Sequence, residues 1–157
     1  MSPPALAYST DNCTVGRTMA ILGERWTFVV LREVFNGIRR FEDIRAHTSI
    51  PRQVLTDRLA VLVEQGILRK EPYQPAGQRA RSEYRLTPKG FDLYPVLAAI
   101  ADWGDHYLAD PDGTPNELTH RDCGAHVHSV LMCEDGHRVD DPRDVIPRPG
   151  PGARPRD

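Results

Sequence analysis

The sequence predicts a mainly α-helical fold with a two-stranded wing, a winged helix-turn-helix ending in a long helix, on three observations. First, four segments between residues 12 and 66 carry apolar residues at helical spacing, and the fourth opens on the polar stretch "SIPRQ". Second, two strand-like runs flank a loop with a glycine at its tip, and an apolar helix follows. Third, charge is uneven. From Gly37 to Phe91, 11 basic residues face six acidic ones, a balance of +5, while the rest of the chain stands at −7. Such asymmetry suits one face that meets an anion, although a solvated mixed surface is the plainer alternative.

Each element has a local reason. Residues 1–11 read as a flexible arm. The first helix has Met19, Ile21 and Leu22 on its apolar side and breaks at Gly23. The second holds Trp26, Val29, Val30 and Val34 and stops at Asn36-Gly37. A short third helix, "RRFEDIRAHT", places Phe41, Ile44 and Arg45 at i, i+3, i+4. In the fourth, Ser49 is expected as the cap and Pro51 in the first turn. Val54, Leu55, Leu59 and Leu62 form its buried stripe, and Gly66 stops it. "ILRKEPYQ" and "RSEYRLT" are the strands, with "PAGQRA" between them. Thr87 then caps one long helix with Pro88 at its first position, and Leu93, Val96, Leu97, Ile100, Trp103 and Leu108 make a stripe. That stripe needs a partner, either the first helix or a second copy of the chain.

Beyond Asp110 the composition changes. "DPDGTPNE" is a linker, residues 111–145 form a small Cys/His-rich segment, and residues 146–157 are Pro/Gly-rich and expected to be disordered. No run approaches the length of a membrane span, and the first residues lack a signal-peptide pattern, so no membrane partner and a cytoplasmic location are expected. Three cysteines, Cys13, Cys123 and Cys133, are too few for a disulfide framework.

The order of elements suits DNA reading. Arg52, Gln53 and Thr56 lie at the exposed front of the fourth helix. Gln pairs with adenine, Arg with guanine, and Thr meets a thymine methyl. Arg79 and Arg81 near the hairpin tip suit phosphates or the minor groove, and Arg39 and Arg40 are further phosphate candidates. Ser49, Pro51, Arg58 and Gln78 complete the candidate contact set, although Arg58 could instead be solvated or paired with Asp57 or Glu64. A winged helix serving only protein binding, without DNA, is the alternative. An enzyme is not expected. Cys13 has no histidine nearby in sequence, and there is neither a glycine-rich phosphate loop nor a carboxylate pair at a strand end.

The chain resembles the HxlR-type family of bacterial winged-helix regulators. The resemblance rests on the cysteine at 13, "ILGERWTFVVLREVFNGIRRFEDI" from 21 to 44 and "IPRQVLTDRLAVLVEQGIL" from 50 to 68. It continues in "EPYQP" from 71, "EYRLTPKG" from 83 and "LYPVLAAIADWG" from 93, and so covers residues 12–110. It implies a homodimer joined by the first and last helices. Two recognition helices would then meet a palindromic operator in double-stranded DNA, usually to repress and sometimes to activate. It also implies that Cys13 is a candidate sensor of oxidants or electrophiles. A helix N-terminus favours the thiolate, while a small buried thiol is the plainer reading. A small-molecule effector is left open.

His120-x2-Cys123 and Cys133-x3-His137 are pair spacings that zinc tolerates. Similar tails among relatives often carry a second cysteine pair, and Gly136 stands where that thiol would be. A plain hairpin is therefore the preferred reading of the sequence, with zinc open and no metal or cofactor assigned.

Overall fold

The computed structural model describes residues 7–156. Six α-helices and a wing hairpin follow one another: α1 Thr14–Leu22, α2 Arg25–Phe35, α3 Phe41–Thr48, α4 Arg52–Glu64, β1 Leu68–Tyr73, β2 Arg81–Leu86, α5 Pro88–Phe91 and α6 Tyr94–Tyr107. A second hairpin, β3 Leu131–Met132 and β4 Arg138–Val139, lies in the C-terminal segment. None of the described helices is long and apolar enough to cross a membrane.

The core is built on α2. Its Thr27, Val30, Leu31, Glu33 and Val34 are all buried, and it touches α3, α4, β2 and α6. Ile44 from α3, Ile50 from the α3–α4 turn, and Leu55, Leu59 and Leu62 from α4 close over it. Burying such side chains contributes about 1.5–3 kcal/mol each. Glu33 is an unusual member of this core, fully buried yet ionisable. Arg32 and His47 both reach its carboxyl group, so the end of α3 is tied to α2 by a hydrogen bond as well as by packing.

The wing is antiparallel, with Leu68 opposite Leu86 and Tyr73 opposite Arg81. The loop between α2 and α3 adds a bridge to it, Arg40 pairing with Glu83, and the Tyr84 N–H donates to the Arg39 carbonyl at 2.8 Å. The hairpin is therefore fixed to the helix-turn-helix along one edge and free at the loop.

Three expectations need correction. Ser49 does not cap the fourth helix. It is the left-handed C-cap of α3 at φ 58°, its N–H bonded to the Arg45 carbonyl. A sharp reversal between two helices needs a residue with positive φ, and serine fills that place here without being glycine. Pro51 accordingly stands at the N-cap of α4, one place before the first turn. The long helix after the wing is also divided. Thr87 does cap it, accepting from the Gly90 N–H, but the helix stops at Phe91 and resumes at Tyr94. Pro95 explains the break, because it has no N–H to give and its ring would strike the carbonyl of Phe91 in a continuous helix. Gly90 is needed at the seam, since a Cβ there would lie 2.3 Å from the Ile67 carbonyl oxygen.

Residues 1–6 of the expected arm lie outside the described residues. Residues 7–9 pair with the Pro/Gly-rich tail instead of hanging free. Tyr8 bridges Pro155, and the Ser9 and Arg156 amides donate to the Arg154 and Ala7 carbonyls.

Two substitutions test this core from opposite directions. Leu55→Ala should cost about 2–5 kcal/mol of unfolding free energy in urea titration, by transfer and cavity together. Thr27→Val should be neutral or gain about 1 kcal/mol, because the buried Thr27 hydroxyl has no hydrogen-bond partner among the described residues.

Candidate nucleic-acid interface

α4 stands with Leu55, Leu59 and Leu62 turned inward. At 3.6 residues per turn the opposite face carries Gln53, Asp57, Ala60 and Glu64, with Thr56 beside them, and all five are exposed. Gln53 donates to Asp57 at 2.8 Å, one turn on, and the Thr56 hydroxyl donates to the Arg52 carbonyl at 2.9 Å. Asp57 thus orients Gln53 in the free protein. Arg58 is half-buried on the flank of the helix rather than on this face. No side chain caps the start of α4, so its first amides are open to solvent or to a phosphate oxygen.

Beside this helix the wing and the start of α3 enclose a concave surface. Arg40, Arg52, Lys70 and Arg81 line it, with Phe41, Tyr73 and Tyr84 between them. Arg40 lies over the Tyr73 ring at 4.2 Å and Arg52 over Phe41 at 5.2 Å, so both guanidinium groups have an aromatic bed. The carboxylates of Glu42 and Asp43 enter the same concavity. Glu42 binds Arg52 at 2.7 Å, and Arg45 is close by. The hydrogen bond from Arg52 holds the Glu42 carboxyl below its usual range, with Arg45 adding to the shift.

Partners sort the basic residues. Arg69 and Arg85 are held by Glu71 and Glu83 within the wing, and Lys89 donates to the Gln65 carbonyl. Among the described residues, Arg39, Arg40, Arg58, Lys70, Arg79 and Arg81 have no carboxylate within salt-bridge distance. Gln78 and Arg79 are exposed in the wing loop next to Gly77, whose φ is +73°. The structure thus gathers Arg40, Arg52, Thr56 and Arg81 round one surface and leaves Gln78 and Arg79 at the tip. Arg39 lies beside Arg69 and Arg85 on another side. Ser49 and Pro51 form the exposed turn that leads into α4.

Lys70 and Tyr73 are members of the surface that the sequence reading missed. The signal was available. Lys70 pairs with Tyr84 on the same side of the hairpin as Leu68 and Leu86, the side turned to the helices. Alternation applied to the first strand as to the second would have brought it out.

Comparison with known proteins settles the family. The chain matches the HxlR-like helix-turn-helix family model over residues 21–112. The chain belongs to the HxlR family. An uncharacterized HTH-type transcriptional regulator of Mycobacterium tuberculosis, Rv3095, is 40% identical over 97% of this chain and 95% of its own length. A Bacillus subtilis relative, the uncharacterized HTH-type regulator YdeP, is 33% identical over 64% of this chain and 80% of its own. Among solved structures, the transcription-factor candidate PA1607 superposes with a TM-score of 0.76 at 32% identity, covering 88% of this chain and 95% of that one. The redox regulator HypR in its reduced form gives a TM-score of 0.52 at 29% identity over 59% of this chain and 90% of its own. The protein is a transcriptional regulator with a helix-turn-helix domain, and its HxlR-family relatives are regulators rather than enzymes.

Glu42 restrains this HxlR-type surface. Glu42→Gln frees Arg52 and removes one negative charge, so affinity for any DNA duplex should rise several-fold at low salt, read by fluorescence anisotropy. The hydrogen bond from Arg52 keeps Glu42 ionised down through the usual carboxylate range, and the pairing is lost only as pH falls through the depressed value. The gain should therefore be constant across neutral pH.

Proposed function

We propose that the protein binds double-stranded operator DNA as a homodimer and acts as a repressor. The observation that carries this reading is the uncapped, polar front of α4 standing beside four cations on one concave surface. A recognition helix needs hydrogen-bonding groups at its leading end, and a wing needs cations that reach phosphate. Gln53 and Arg52 read base edges, Thr56 meets a thymine methyl, and Arg40, Lys70, Arg79 and Arg81 hold the backbone. Arg39, Ser49, Pro51, Arg58 and Gln78 stand as outer contacts. In anisotropy titrations against DNA from the chain's own promoter, Gln53→Ala or Arg52→Ala should cost about 1–3 kcal/mol and relax sequence choice. Arg81→Ala should weaken every duplex alike and flatten the salt dependence. Unchanged operator affinity in all three variants would overturn the groove assignment.

Dimerisation is supported by apolar surface that one chain leaves uncovered. In α6, Val96, Ile100, Trp103 and Tyr107 are exposed, Trp103 at 59%, and in α1 so are Val15 and Met19. Two copies on a palindrome add their contacts, which one recognition helix and wing cannot match. Ile100→Asp with Trp103→Asp should halve the solution mass in light scattering and abolish operator binding, while the helical circular dichroism is kept.

Cys13 is the sensing candidate. It is exposed at the N-cap of α1, next to the helix that carries Val15 and Met19, and HypR, a similar structure, is named a redox regulator. Oxidation or alkylation there would shift the two subunits and move both recognition helices. Peroxide or a quinone should change operator affinity in the parent protein, and Cys13→Ser should abolish that response. A small-molecule effector would fit the cavity between α2, α6 and the linker. This cavity is lined by Phe35, Tyr94, Leu97, Ala101, Pro115 and Leu118, with Arg32 and Asp105 at its edge.

A further inference from the structure

The segment after α6 presents a physical problem. No residue from 111 to 156 is buried, and Val130, Leu131, Met132, Val145 and Ile146 are all exposed. Its second hairpin has two residues in each strand, Leu131 opposite Val139 and Met132 opposite Arg138. A hairpin of this size with no apolar layer beneath it is marginal in water, and small units of this kind need a staple.

The hairpin loop carries the groups for one. Cys133 follows β3 and His137 precedes β4, so the ladder sets them side by side. The Cys133 N–H donates to the His137 carbonyl at 3.0 Å, and the Gly136 N–H donates to the Cys133 carbonyl at 2.9 Å. Gly136 closes the turn at φ +82°, a conformation that a side chain would resist. Within it, Cys133 Sγ lies 3.5 Å from His137 Nδ1. Tetrahedral zinc with bonds of about 2.3 Å to sulfur and about 2.0–2.1 Å to nitrogen needs these atoms about 3.5–3.6 Å apart. A carboxylate oxygen of Asp135 joins them, and the three donor atoms lie within 4.8 Å of one another.

A neighbouring turn provides the contrast. His120 Nδ1 and Cys123 Sγ are 3.3 Å apart there, but the nearby carboxylate of Asp122 sits 4.0 Å from Nε2, the other ring nitrogen. Those three groups do not converge. Among the described residues, the cluster of three donors is the one at Cys133, Asp135 and His137.

We propose that Cys133, Asp135 and His137 bind one divalent zinc-class ion, with water at the fourth position, and that this ion staples the C-terminal hairpin. A sulfur, nitrogen and oxygen donor set favours zinc or cobalt over magnesium or calcium. Binding deprotonates the thiol, so a proton leaves as the ion enters. No electron transfer is involved.

The test is cobalt(II) titration of the full chain under reducing conditions, read by absorption. One equivalent per chain should produce a thiolate-to-cobalt charge-transfer band together with the intense visible bands of a tetrahedral site. Zinc should then displace the cobalt. Cys133→Ser should abolish the charge-transfer band, and His137→Ala should weaken binding at least tenfold. Asp135→Asn should weaken binding while keeping the sulfur band. Cys123→Ser should leave all of these unchanged. Circular dichroism of each variant reports the helical domain separately. Absence of the band in the parent chain, its survival in Cys133→Ser, or its equal loss in Cys123→Ser would each overturn the proposal.

Discussion

The structure depends on the burial of α2. A helix of 11 residues that buries Thr27, Val30, Leu31, Glu33 and Val34 serves as a floor for α3, α4 and the wing together. Close-packed interiors do not deform continuously, so elements leaning on one floor keep fixed angles to each other. Glu33 sharpens this. A carboxylate without exposure is tolerable only with partners, and its partners are Arg32 on the same helix and His47 at the end of α3. The turn that launches the recognition helix follows directly after His47. The direction of α4 is thereby linked to a buried charge two elements away.

Much of the domain was legible because its signals are periodic. Apolar spacing gave the helices, alternation gave the second strand, and Gly23, Gly37 and Gly66 marked real ends. What escaped notice was decided by neighbours in space. Ser49 looks like a cap because serine often is one, but the reversal between α3 and α4 needed its backbone rather than its hydroxyl. Thr87-Pro88 announced a helix correctly, whereas the weight of Pro95 was hidden by the apolar stripe on either side of it. The concave surface was read only in part. The arginines stood out and Lys70 was legible from alternation in the first strand, but Tyr73 became visible only with the register of the hairpin. Which arginines are already occupied by carboxylates is a fact of three dimensions only.

The domain has two surfaces of opposite character. One is polar and cationic and is built from α3, α4 and the wing. The other character is apolar: α1 exposes Val15 and Met19, and α6 exposes Val96, Ile100, Trp103 and Tyr107. Division of labour of this kind suits a regulator in which assembly and target reading are separate tasks joined by a rigid core. The C-terminal segment stands outside that core. It touches α6 through the Ser129 amide, which donates to Asp102, and so lies against the helix proposed for assembly.

The pairing of Arg52 with Glu42 also bears on how the protein searches a chromosome. A guanidinium already holding a carboxylate gains little by exchanging it for an arbitrary phosphate, because one ionic partner replaces another. On the proposed reading, the exchange would become worthwhile only where the neighbouring side chains of α4 find their own partners in the groove. With α4 in the groove as proposed, the internal anion would shorten dwell time on random sequence more than on a fitting one, trading raw grip for faster sampling.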